Sequence, residues 1–311
     1  MTSERPSRIA VGPSLEPAFA RAVTSGGGTV CALDECPDAL VWTGGHETFP
    51  AVLPASVRWV QLPAAGVENW LTEGIIKAHP QVTWSSAAGA YAATVAEHEV
   101  MFLLAGVRAL PDHLAATSWT PGDFYPRLGT LRGATVGIIG TGGIGRALIP
   151  MLAALGAQSL AVTRTGRPVP GAVETFPVER IDELWPLADH FVIAAPATSE
   201  TERLIGAEEL SSMKPTAWLV NVARGNLIDT DALVDALTRG TIAGAGLDVT
   251  DPEPLPDGHP LWSLRNAMIT PHDSNPPALR VPAYVEHVTE NITRFASGLE
   301  PLAVIDPRAG Y

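Results

Sequence analysis

Short apolar runs alternate with longer segments of helical period along the whole chain. The strand-like runs are Ile9–Val11, Leu40–Trp42, Trp59–Leu62 and Gln81–Trp84, then Thr135–Ile139, Leu160–Thr163, Phe191–Ala195, Trp218–Val222, Gly244–Val249 and Ala267–Thr270. Thr94-Val-Ala-Glu97 is a capping box, so a helix is expected to start there. A second helical pattern runs from Ile144 to Leu155 and a third from Pro277 to Ser297. Alternation of this kind predicts parallel sheets covered by helices. A chain of 311 residues is long enough for two such domains. The helix at Thr94 reads as the crossing from the first to the second, and Pro277–Ser297 as the return. A cleft between them is then the expected ligand site. Arg108–Arg132 is rich in Pro and Gly around an isolated Trp119, and reads as an extended arm suited to a subunit contact.

Gly140-Thr141-Gly142-Gly143-Ile144-Gly145 falls between the run ending at Ile139 and the helical segment that follows. Placed between strand and helix, this string reads as a dinucleotide-binding turn. Gly140 permits the tight turn, Gly142 lets the backbone approach a pyrophosphate, and Gly145 lets helix and strand pack closely. The helix N-terminus then offers free N–H groups to phosphate oxygens.

Three further segments end predicted strands: Asn221–Gly225, Leu247–Pro254 and Ile269–His272. Ligands of open α/β sheets gather at the carboxyl ends of strands. Arg224, Glu253 and His272 are therefore expected to converge. Imidazole titrates near neutral pH and suits proton delivery. A carboxylate on its other nitrogen would orient the ring and favour its protonated form. A guanidinium offers a planar fork to a carboxylate or carbonyl oxygen.

Composition narrows the partners. A net charge of -13 argues against nucleic acid. No run reaches membrane-spanning length, and the N-terminal Met-Thr-Ser-Glu-Arg-Pro lacks a signal-peptide core, so a cytoplasmic location is expected. The sequon Asn291-Ile-Thr293 then has no consequence. Cys31 and Cys36 read as ordinary thiols, and no metal site is expected. Glu97-His98-Glu99 looks metal-like, but adjacent helical residues diverge. His98 reads instead as a surface or interdomain hydrogen-bonder. Trp42, Leu62, Trp119 and Trp262 are candidates either for a substrate pocket or for core and interface.

The ordered strings Thr-Gly-Gly-Ile-Gly-Arg146, Asn-Val-Ala-Arg-Gly225, Leu-Asp-Val249, Glu-Pro-Leu255, Pro-Leu-Trp262 and Thr-Pro-His272 resemble the D-isomer-specific 2-hydroxyacid dehydrogenases, over nearly the whole chain. The resemblance implies an α/β fold of two doubly wound parallel-sheet domains. A flavodoxin-like substrate domain would comprise 1–98 and 285–311, and a Rossmann dinucleotide-binding domain 99–284. It implies Arg224, Glu253 and His272 as the catalytic set, with Ala65 and Gly66 beside Arg224 on the substrate carboxylate. Gly140, Gly142, Gly143, Ile144, Gly145, Pro196, Thr201, Val222 and Asp248 would line the cofactor.

An NAD-specific fold places an acid about 20 residues beyond the glycine turn. In alignment with the family that position is Thr163, followed by Arg164 and Thr165, with no carboxylate to repel a 2′-phosphate. NADP(H) is therefore the expected cofactor, with NAD(H) possible. The expected activity is reduction of small 2-oxo acids, glyoxylate- or hydroxypyruvate-like, by a homodimer. Asp273, following His272, disfavours a dicarboxylic substrate. Formate dehydrogenases resemble the chain but carry Gln where Glu253 stands. A rival reading is a corepressor of the C-terminal-binding-protein type, which uses the dinucleotide as a regulatory ligand.

Overall fold

Mostly apolar runs of three to six residues build two all-parallel sheets in the computed structural model, which describes residues 5–119 and 122–310. Met1–Glu4 of the N-terminal segment, and Thr120 and Pro121 of the arm, lie outside the described residues. One compact unit is Met1–Tyr91 with Pro276–Tyr311, the other Ala92–Asn275.

In the first unit, β1 (Arg8–Gly12), β2 (Thr29–Cys31), β3 (Ala39–Trp42), β4 (Trp59–Gln61) and β5 (Thr83–Ser85) pair in the order β2-β1-β3-β4-β5. This is the flavodoxin-like order. β3 and β4 are buried on both faces, as strands sandwiched between helices must be. Helix α1 (Pro17–Ser25) packs on β1, and the short α2 (Glu68–Thr72) and α3 (Ile75–Ala78) follow the β4 loop that carries Ala65 and Gly66. Trp42 and Leu62, considered above as pocket-lining, are buried in this unit's core with Trp70 and Trp84.

The second unit opens with α4 (Ala92–Val107) and α5 (Leu110–Ala115). α4 begins two residues before Thr94, which sits in the first turn rather than capping it. The arm is not wholly extended: α5 and a 3-10 turn at Tyr125–Arg127 occupy part of it. Then come β6 (Thr135–Ile139), α6 (Gly143–Ala154), β7 (Gln158–Thr163), β8 (Glu174–Pro177), β9 (His190–Ile193), α7 (Ala207–Ser212), β10 (Trp218–Asn221), α8 (Thr230–Arg239), β11 (Gly244–Leu247) and β12 (Ala267–Ile269). The sheet order β12-β11-β10-β9-β6-β7-β8 is the Rossmann order extended by one strand. β6 is the switch point, flanked by β7 on one side and β9 on the other.

Side chains alternate between the two faces of this sheet. Ala245 and Leu247 join Phe191, Leu219, Leu233 and Leu237 in one core. Gly246, between them, faces α4, where an added Cβ would lie 2.6 Å from Phe102. The absence of a side chain at Gly246 lets the helix seat directly on the strand.

The last helix, α9 (Pro277–Ala296), belongs to the first unit and is joined to it by buried polar bonds. Asn291, fully buried, donates to Gln61 Oε1 at 2.7 Å and accepts from the Leu302 N–H at 2.6 Å. Tyr284 donates to the Trp42 carbonyl at 2.8 Å, and burial raises its phenol well above its ordinary value. The units change at the starts of α4 and α9, seven and nine residues before the expected 98/99 and 284/285 boundaries, so each helix stays whole within one unit.

Candidate active site

Seven parallel strands in the second unit end on one edge, so every loop that follows them opens there. The loop after β6 holds Gly140 at φ 91°, a left-handed conformation that suits glycine. A Cβ at Gly140 would lie 2.5 Å from the Ala195 nitrogen, and one at Gly145 2.7 Å from the Gly140 carbonyl. A Cβ at Gly142 meets nothing within 4 Å. Gly140 and Gly145 are thus required by the protein's own packing, whereas Gly142 borders open space. Gly142 caps α6 with no side-chain bond, and Gly143 and Ile144 form its first turn, where amide hydrogens lack helical partners.

Thr163 ends β7, the strand beside β6. Its hydroxyl, like that of Thr141, is buried with no hydrogen-bond partner among the described residues. Arg164 and Thr165 follow, both exposed. Across the switch point, Thr201 donates to the Pro196 carbonyl at 2.7 Å, so these two residues share one loop corner. A glycine cradle, a helix N-terminus and two orphaned hydroxyls fit a phosphate-bearing dinucleotide.

Arg224, Glu253 and His272 come from the loops after β10, β11 and β12, three adjacent strands. His272 Nδ1 and Glu253 Oε1 are 2.7 Å apart, and both side chains are exposed. Val222 is buried, and Asn221 ties the Arg224 turn by accepting from the Ala223 N–H and donating to the Arg224 carbonyl. The Arg224 guanidinium donates to the Ala223 carbonyl at 2.7 Å. A Cβ at Gly225 would overlap the Thr250 carbonyl, so the Arg224 and Glu253 loops touch only because residue 225 is glycine.

His272 stands at φ 53°, an uncommon backbone for a residue with a side chain. Asp248 braces that turn. Its carbonyl accepts the His272 N–H at 2.8 Å. Its carboxylate accepts Thr270 Oγ1 at 2.6 Å, the Asp273 N–H at 3.0 Å and the Ser274 N–H at 3.1 Å. Burial alone would raise the Asp248 carboxyl, but these bonds outweigh it and hold the group below its ordinary value. His98 is a hydrogen-bonder, as expected, but within one unit: it is half-buried, with Nε2 3.0 Å from Thr270 Oγ1. His98, Asp248 and Asp273 bring ligand atoms within 4.8 Å of one another. The Asp248 oxygens of this cluster already accept three donors. Trp262 and Trp119 are exposed, at 51% and 94%.

Sequence reasoning weighed Glu99 only within the metal-like string Glu97-His98-Glu99 and missed its burial. It shares the buried stripe of α4 with Val95 and Phe102 and is fully buried, with neither oxygen hydrogen-bonded among the described residues. Burial raises its carboxyl well above the ordinary value of 4.5. The unfolded chain ionises this group near 4.5 while the folded chain keeps it protonated. Its contribution to stability is therefore full below that pH and is lost as pH rises toward the folded value. Glu99→Leu is expected to stabilise the protein by about 1–3 kcal/mol, more at pH 8 than at pH 5. Urea unfolding of both proteins at the two pH values checks this, and a gain independent of pH would contradict it.

This fold and its glycine turn define an α/β protein of the dinucleotide-binding kind. The family model "D-isomer specific 2-hydroxyacid dehydrogenase, NAD binding domain" matches residues 100–274, and the chain belongs to that family. An uncharacterized protein of the proB 3′ region of Corynebacterium melassecola is 42% identical, covering 93% of this chain and 95% of the relative. The glyoxylate reductase/hydroxypyruvate reductase of Homo sapiens is 33% identical, covering 81% and 75%. The crystal structure of a D-isomer specific 2-hydroxyacid dehydrogenase from Xanthobacter autotrophicus Py2, in complex with NADPH and MES, superposes with a TM-score of 0.82 at 26% identity, covering 99% of this chain and all of that one. No described helix is long and apolar enough to cross a membrane.

Proposed function

We propose that the protein reduces small 2-oxo acids, glyoxylate- or hydroxypyruvate-like, to D-2-hydroxy acids with NADPH in preference to NADH. The 2.7 Å His272–Glu253 contact on neighbouring strand-end loops carries the reading. A bound reduced nicotinamide supplies the hydride. Glu253 occupies Nδ1 of His272 and leaves Nε2 to protonate the substrate oxygen. Arg224 anchors the substrate carboxylate or polarises its carbonyl, and the Ala65–Gly66 backbone is the proposed second carboxylate contact. The human relative is named for glyoxylate and hydroxypyruvate, and the Xanthobacter structure contains NADPH; both support the reading. Steady-state kinetics with glyoxylate, hydroxypyruvate and larger 2-oxo acids, with each cofactor, test it. Tight dinucleotide binding without turnover would replace it with a regulatory, corepressor-like role.

Arg224→Lys keeps the charge but loses the fork. Its catalytic efficiency is expected to fall about 10–100-fold, the equivalent of one or two charge-assisted hydrogen bonds. Unchanged efficiency in both the Lys and Gln variants would make Arg224 a structural residue of its turn.

We further place the protein in the cytoplasm as a homodimer. Met101, Leu104, Leu110, Leu114, Trp119 and Tyr125 are exposed apolar residues on α4, α5 and the arm, a surface that a second copy would cover. Light scattering is expected to give twice the chain mass, and Leu114→Glu with Trp119→Glu to shift it toward monomer. A wild-type protein that scatters as a monomer contradicts this assignment.

A further inference from the structure

We infer that His98 is a positioning residue for His272, acting through the Thr270 hydroxyl and the Asp248 carboxylate. The direction of the hydrogen bonds carries the inference. An ionised carboxylate accepts only, so at 2.6 Å Thr270 Oγ1 spends its one proton on Asp248 Oδ1. In its 3.0 Å contact with His98 Nε2, the Thr270 oxygen is therefore the acceptor, and Nε2 carries the hydrogen. The chain runs one way, from the His98 ring through the hydroxyl to the carboxylate. The ring is held at its origin by an edge-on contact with Phe102, with centroids 4.8 Å apart.

At the other end, Asp248 grips the turn on both sides of His272. It takes the Thr270 hydroxyl before it, the Asp273 and Ser274 amides after it, and the His272 amide on its own carbonyl. These bonds offset the cost of the left-handed backbone at His272. The His98 donor fixes the Thr270 hydroxyl in the rotamer that meets Asp248. Without it the hydroxyl is free to turn, the carboxylate loses a fixed donor, and the turn that aims the imidazole shifts with it. His98, far from His272 in sequence, thus sets where His272 points without touching substrate.

The consequence for rate rests on the proposed reductase activity; the geometric part does not. Four variants of the full chain separate the two: His98→Leu, His98→Gln, Thr270→Val and Thr270→Ser. Nitrogen-15 NMR of histidine-labelled protein is expected to show His98 protonated at Nε2 in its neutral form. His98→Leu and Thr270→Val should move the titration midpoint of His272 in the same direction. With glyoxylate and NADPH, His98→Leu and Thr270→Val should each lower kcat about tenfold, and the double variant no further than either alone. His98→Gln and Thr270→Ser, which keep a donor and a hydroxyl, should recover most of the rate. Additive losses, a Gln variant no better than Leu, or a His272 titration indifferent to all four changes would overturn the inference. Should His98→Leu fail to fold, the Val and Ser pair at Thr270 decides. Should the wild type turn over no 2-oxo acid, the proposed activity fails, and the NMR measurements still decide the role of His98.

Discussion

Replacing His272 with alanine is expected to lower turnover of glyoxylate about 10²–10⁴-fold while NADPH binding survives. The expectation follows from placement. His272 follows β12, at the far edge of the sheet from β7, where Thr163 stands. Its ring is bonded to Glu253, which lies outside the glycine turn and the Thr163 segment. Removing the imidazole is therefore expected to take away the proposed proton delivery and to leave the glycine turn intact. Glu253→Gln should give a smaller loss, because an amide still accepts from Nδ1 but brings no charge. Fluorescence quenching by NADPH, measured beside initial rates, separates binding from chemistry. Near-normal turnover in His272→Ala would remove this residue from the mechanism.

The second large effect concerns cofactor choice. Thr163→Asp combined with Arg164→Ala is expected to lower the NADPH-to-NADH ratio of kcat/KM by about 10²-fold or more. Each charge-assisted bond to a phosphate contributes about 1.5–3 kcal/mol, or roughly 10–10²-fold. The aspartate adds repulsion of the 2′-phosphate and supplies the acceptor that ribose hydroxyls require. Thr163 offers a buried hydroxyl without a partner among the described residues, and Arg164 is exposed at the strand end beside it. Equal efficiency with both cofactors in the unmodified protein would show that Thr163–Thr165 does not read the phosphate.

The features legible in the sequence are those written in contiguous residues. Gly140–Gly145 announces its turn because strand, turn and helix adjoin, and the three strand-end loops follow from strand direction alone. β2 and β8 escaped notice: they are edge strands of three and four residues, partly exposed, and β8 ends in Pro177. α5 was hidden by the Pro and Gly around it. The partners of His98 were invisible for a different reason. Thr270 lies 172 residues away, and no periodicity connects a helix residue to a distant strand end. Glu99 was illegible because amphipathic patterning assigns a carboxylate to the solvent face.

The burial of Asn291 has a practical side. In the folded protein the sequon Asn291-Ile-Thr293 presents no accessible amide, since its side chain is spent on Gln61 and Leu302. A nascent chain has no such protection. In a secretory host the unfolded chain would present the sequon, and a glycan added there would take one of the amide protons that Asn291 gives to Gln61 and Leu302. Expression in a bacterial cytosol avoids this, whereas export through a eukaryotic secretory pathway exposes the docking of α9 to it.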